Sequence, residues 1–91
     1  MDFGNNTVLI TGGASGIGLS LASHFVQRDS TVIICGRNRD KLAQAKVRFP
    51  QITTYGCDVA NSAERIAVFE WISNEFPKLN VLVNNAGIQS R

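Results

Sequence analysis

Apolar and polar positions along this chain fall into two alternating patterns. Four short runs rich in β-branched residues, Thr7-Val8-Leu9-Ile10, Thr31-Val32-Ile33-Ile34, Ile52-Thr53-Thr54-Tyr55 and Val81-Leu82-Val83, each predict a strand. They lack a clean apolar and polar alternation, which suits strands covered on both faces, as in a parallel sheet between helices.

Helical periodicity fills the gaps between them. The first stretch sets Ile17, Leu21 and Phe25 four residues apart, widens that face with Ala22 and Val26, and leaves Ser20, Ser23 and Gln27 to solvent. The second begins near Asn38, aligns Leu42, Ala45 and Phe49, and must stop by Phe49 because Pro50 disfavours helix in the residue before it. The third follows Asn61, an N-cap with Glu64 three residues on, and is expected to bury Phe69, Ile72 and Phe76 before Pro77 ends it. The order β-α-β-α-β-α-β with connections of this length predicts an α/β fold. Right-handed units imply a parallel sheet, with strand order 3-2-1-4 if it is the Rossmann-type, doubly wound one, in a single nucleotide-binding domain over residues 1–91.

Chemistry enters after the first strand, at Thr11-Gly12-Gly13-Ala14-Ser15-Gly16-Ile17-Gly18. A pyrophosphate needs backbone N–H groups at a helix N-terminus, where unpaired donors and the helix dipole favour an anion. Side chains would block that approach, and glycine tolerates the positive φ of the tight turn. A glycine cluster alone is equally compatible with a flexible turn, but a position between strand and helix is the context a dinucleotide fingerprint requires.

The spacing T-G-x-x-x-G-x-G resembles the loop of the short-chain dehydrogenase/reductase family. About seventy residues on, Asn84-Asn85-Ala86-Gly87 is similar to that family's N-N-A-G signature, and Asp58-Val59 after the third strand matches its adenine contacts. Within the family, Cys35-Gly36-Arg37, Phe69-Glu70-Trp71 and Asn85-Ala86-Gly87-Ile88-Gln89 resemble bacterial DltE-like members. The resemblance implies cofactor contacts at Gly12, Ala14, Ser15, Gly16, Ile17, Gly18, Gly36, Arg37, Asp58, Val59, Asn85, Ala86 and Gly87. Asn84 would steady the sheet, and Asn85 to Gly87 would run beside the ribose and nicotinamide.

It also implies hydride transfer between a nicotinamide and a carbonyl or alcohol carbon of a small substrate. The serine, tyrosine and lysine that catalyse it in the family have no counterparts here: Tyr55, the single tyrosine, is followed at the fourth position by Val59. No catalytic residue is therefore expected within the chain, which alone should be inactive. The other reading is a non-catalytic dinucleotide-binding or sensing module. The first is favoured because a chain ending soon after Ile88 leaves its fourth strand as an unprotected apolar edge.

Cofactor choice turns on Gly36. Relatives that prefer NAD place an acidic residue there to accept from the ribose 2′-hydroxyl. Arg37 follows instead, and a guanidinium suits a 2′-phosphate, so NADP(H) is expected to be preferred with NAD(H) possible. The plainer reading of Arg37 is a solvated charge, since Arg39, Lys41, Lys46 and Arg48 share its neighbourhood. NADP-preferring relatives also often carry a basic residue before the middle glycine of the loop, where Ser15 stands here.

Composition limits the alternatives. A net charge of +2 with no aromatic-interleaved basic stripe argues against nucleic acid as a partner. The N-terminus lacks a basic segment, and Val8 to Ile10 is too short for a signal peptide or membrane span, so a cytoplasmic location is expected, with no membrane partner. Cys35 and Cys57 have no metal-site spacing, predict no metal, and read as buried reduced thiols. The full-length protein is expected to form a homo-oligomer.

Overall fold

The computed structural model describes residues 4–12 and 16–85. Its elements are β1 (Thr7–Thr11), α1 (Gly16–Gln27), β2 (Thr31–Gly36), α2 (Arg39–Arg48), β3 (Thr53–Gly56), α3 (Ser62–Glu75) and β4 (Val81–Asn84). The strands form one parallel sheet in the order β3-β2-β1-β4. Thr7 pairs with Thr31 and Val8 with Val81, which makes β1 the central strand at which the chain's direction of travel reverses.

Each face of the sheet has its own core. On one, Val8, Ile10, Val32 and Ile34 meet Ala22 and Phe25 of α1 and Leu42 and Ala45 of α2. On the other, Leu9, Ile33 and Cys35 meet Val68 and Ile72 of α3, with Cys57 beside them. The residues of β1 and β2 thus alternate between two apolar layers, so neither strand shows polar alternation in sequence.

Local chemistry fixes the helix ends. Asn38 and Asn61 accept through their side chains from the N–H groups of Lys41 and Glu64, both at 3.0 Å. The Glu64 carboxylate does not turn back to Asn61. It accepts from the N–H of Asp58 at 3.0 Å, while Asn61 N–H donates to the Asp58 carbonyl. The capping residue and the end of β3 are therefore tied together. Phe49 and Phe76 close α2 and α3, each donating its N–H to the carbonyl four residues back, and a proline follows each.

Two expected helix faces are rotated from where periodicity put them. Ile17 is 64% exposed, and α1 buries Gly18, Ala22 and Phe25. Phe69 is 37% exposed, and α3 buries Val68 and Ile72. Phe76 packs at the margin of the second core and meets Trp71 edge-on at 5.5 Å. Tyr55 lies against the other side of Trp71 at 4.7 Å, so both aromatic residues are packing groups between β3 and α3. The third strand starts at Thr53 because Ile52 N–H is engaged by the Phe49 carbonyl in the turn after α2. The Ile52 side chain still enters the first core.

At the amino edge, Asn80 ties β4 to β1. Its side-chain oxygen accepts from Thr7 N–H at 2.7 Å, and its amide donates to the Asn6 side chain at 2.9 Å. No helix among the described residues is long and apolar enough to cross a membrane.

Candidate functional site

Because all strands are parallel, their carboxyl ends share one edge, and the segments following β1, β2, β3 and β4 lie along it. The strand order reverses at β1, which pairs with β2 on one side and β4 on the other, and an open α/β sheet binds its ligands at the carboxyl ends of the strands beside such a point.

Gly12 leaves β1 with φ of 67°, and Gly16 enters α1 with φ of 60°. Both lie in the left-handed region that side chains disfavour. Gly12 N–H donates to the Cys35 carbonyl at 2.8 Å, which extends the β1 to β2 ladder to the base of the loop. A Cβ placed on Gly16 would meet nothing within 4 Å, so its requirement is conformational and the space beside it is open. Gly18 is buried within α1, and Ile17 is exposed next to it. Ala14 and Ser15 lie outside the described residues, as do Ala86 and Gly87.

The end of β4 is bolted to the base of this loop. Buried Asn85 donates its side-chain amide to the Gly12 carbonyl at 2.9 Å, and Thr11 Oγ1 donates to the Asn84 side chain at 3.0 Å. The described part of the N-N-A-G segment therefore fixes the crevice wall across about seventy residues of chain. Thr11 and Asn84 had no place in the predicted site, since only the β1 to β4 register reveals that they meet.

Gly36 ends β2 and is half-buried, and Arg37 follows it and is exposed. Asp58 and Val59 follow β3 and are half-buried. Asp58 Oδ1 accepts from Ala60 N–H at 3.0 Å, and the Val59 carbonyl accepts from Arg65 Nη1 at 2.7 Å. One Asp58 carboxylate oxygen serves the turn, and no hydrogen bond engages the other among the described residues. The described residues of the predicted cofactor site, at the ends of β1, β2, β3 and β4, thus lie at the same edge.

Beneath the edge sit two buried free thiols. Burial, with the neighbouring Cys57, pushes the Cys35 thiol up to about 12. Burial also raises Cys57, with Glu64 and Asp58 adding to the rise and the hydrogen bond with Cys35 opposing it. Folding thus holds Cys35 protonated at pH values where an unfolded thiol near 9.0 has ionised. The stability this confers is complete below about pH 9 and is lost as pH rises toward 12. Thermal melts between pH 7 and 11 should show an alkaline decline that is shallower in Cys35→Ala. Parallel declines would refute the assignment. Among the described residues, no group of three or more His, Cys, Asp or Glu could hold a metal ion.

A parallel 3-2-1-4 sheet with a glycine turn at its first strand defines a dinucleotide-binding α/β protein. A family model described as short chain dehydrogenase matches residues 6–91, and the chain belongs to that family, the short-chain dehydrogenases/reductases. It is 56% identical over 89 residues to the uncharacterized oxidoreductase DltE of Bacillus subtilis, covering 98% of this chain and 35% of that one.

Among solved structures, a short-chain type dehydrogenase/reductase from Mycobacterium ulcerans superposes with a TM-score of 0.84 at 30% identity, covering 93% of this chain and 34% of that one. A short chain dehydrogenase from Bacillus anthracis gives 0.82 at 36% identity, covering 92% and 35%. The chain therefore spans about a third of the length of these relatives.

Proposed function

We propose that the protein is an NAD(P)(H)-dependent oxidoreductase that moves hydride between a nicotinamide and a carbonyl or alcohol carbon, and that these residues form its cofactor-holding part. The bound dinucleotide would donate the hydride to a carbonyl carbon or accept it from an alcohol carbon. The chain's own residues bind and orient it: the turn from Gly12 to Gly18 takes the pyrophosphate on backbone N–H groups, Asp58 and Val59 take the adenine, and Asn85 with Ala86 and Gly87 borders the nicotinamide ribose. The positive φ at Gly12 and Gly16 and the open space beside Gly16 fit that assignment. No residue here is assigned to proton transfer, so residues 1–91 alone should bind without turning over a substrate.

NADP(H) is the preferred cofactor in this reading. The observation that carries it is the end of β2, where half-buried Gly36 offers no carboxylate to a 2′-hydroxyl and exposed Arg37 offers two parallel donors to a 2′-phosphate. A charge-assisted bond contributes about 1.5 to 3 kcal/mol, less at an exposed site, so the preference should be about ten- to a hundredfold. Titration of NADPH and NADH into wild type and Arg37→Ala tests this. NADPH affinity alone should fall in the variant. Equal loss for both cofactors, or a wild type that favours NADH, defeats the reading.

A further inference from the structure

Gly36 and Gly56 are in register across β2 and β3, so two neighbouring strands reach the carboxyl edge at the same level without side chains. Arg39, the first residue of α2, fills the room this leaves. A Cβ on Gly56 would come 3.1 Å from Arg39 Nη1, 3.2 Å from its Cζ and 3.4 Å from its Nη2. Three nearly equal distances mean that the guanidinium lies flat on the Gly56 backbone. Its N–H donors lie in the plane of the group, turned away from Gly56.

Arg39 is exposed, and no ion pair engages it among the described residues. The turn that carries it is held by the Asn38 cap, which accepts from Lys41 N–H at 3.0 Å. The guanidinium is thus placed against Gly56 with no partner anion among the described residues. Arg37 is next to Gly36 in sequence, and Arg39 rests against Gly56, the cross-strand neighbour of Gly36.

We propose that Arg39 is a second specificity-determining residue, which donates from the rim of its guanidinium to the 2′-phosphate of NADP(H) opposite Arg37. This rests on the reading of Gly36 and Arg37 given above. A phosphate monoester near neutral pH carries close to two negative charges and three acceptor oxygens, more than one guanidinium satisfies. Ser15 of the glycine turn carries no charge to help, so the second cation comes from α2. Because Arg39 already rests flat on Gly56, little side-chain freedom is lost when it binds. The bare Gly56 backbone sets how closely it seats, since a Cβ there would press the guanidinium outward by a few tenths of an ångström.

The test is calorimetric titration of the intact protein with adenosine 2′,5′-bisphosphate and with 5′-AMP, which lacks the 2′-phosphate. Arg39→Ala should weaken the bisphosphate about tenfold, the worth of one charge-assisted bond, and leave 5′-AMP within about twofold. Gly56→Ala, which keeps the charge but displaces it, should cause a smaller loss of the same selective kind. Equal weakening of both probes in Arg39→Ala, or none, overturns the proposal. If Arg39→Ala does not fold, Arg39→Gln, which keeps most of the side chain's length without its charge, decides alone, and unchanged bisphosphate affinity overturns it. Selectivity lost in Arg37→Ala but kept in both other variants defeats the Arg39 assignment and leaves the Arg37 reading standing. A wild type that does not distinguish the probes defeats both.

Discussion

Phe25→Ala is expected to leave the polypeptide of residues 1–91 with little or no residual stability at room temperature. Phe25 is 1% exposed and sits in the core that joins α1 to β1 and β2. Its carbonyl also accepts the N–H groups of Arg28 at 3.2 Å and Ser30 at 3.0 Å, which set the turn into β2. Truncating a buried phenylalanine costs about 3 to 5 kcal/mol. Small domains have about 5 kcal/mol or a little more in total, and a chain of this size buries only roughly 60% of its unfolded surface. Urea melts of wild type and variant measure the loss. A shift below about 1 kcal/mol would mean that this core is not the one holding α1 to the sheet.

Gly16→Val should have the largest effect on the site. At φ of 60° a β-branched residue is strained by about 1 to 2 kcal/mol or more, and relief requires the first turn of α1 to move. That turn carries the N–H donors assigned to the pyrophosphate, so dinucleotide affinity should fall by at least about a hundredfold, the equivalent of two lost bonds of about 1.4 kcal/mol each. Nothing lies within 4 Å of a Cβ at this position, so the core is not disturbed and the melting transition should move much less than binding does. Fluorescence titration of NADPH with a parallel thermal melt separates the two. Retained affinity in a folded variant would place the pyrophosphate elsewhere.

The strands, their order and the helix ends were legible because each rests on local chemistry. Asn38 and Asn61 cap, Pro50 and Pro77 stop, and β-branched runs with no polar face require cover on both sides. The helix faces were less legible. In α3, Ile66, Val68, Phe69, Trp71 and Ile72 are apolar on several sides of the helix. Periodicity therefore fits a stripe through Phe69 as well as the one through Val68 that the sheet selects. In α1, glycine at position 18 allows close approach to the sheet, and Ile17 turns outward as a result.

Cross-strand register was the other gap. The cofactor residues could be named from the resemblance, but Asn85 on Gly12, Thr11 on Asn84 and Arg39 on Gly56 join residues far apart in sequence. No spacing along the chain announces such contacts. The cross-strand pair Gly36 and Gly56 looks like two unrelated glycines until β2 and β3 are aligned.

Amide hydrogen exchange of the intact protein with and without NADPH tests the central claim most directly, because the sheet's two edges report separately. Bound dinucleotide should slow exchange in the segments containing Gly12 and Gly16, Gly36 and Arg37, Asp58 and Val59, and Asn85. The amino-edge segments containing Asn6, Ser30 and Asn80 should be unchanged. Protection confined to the amino edge, or none at either edge at saturating NADPH, would contradict the account.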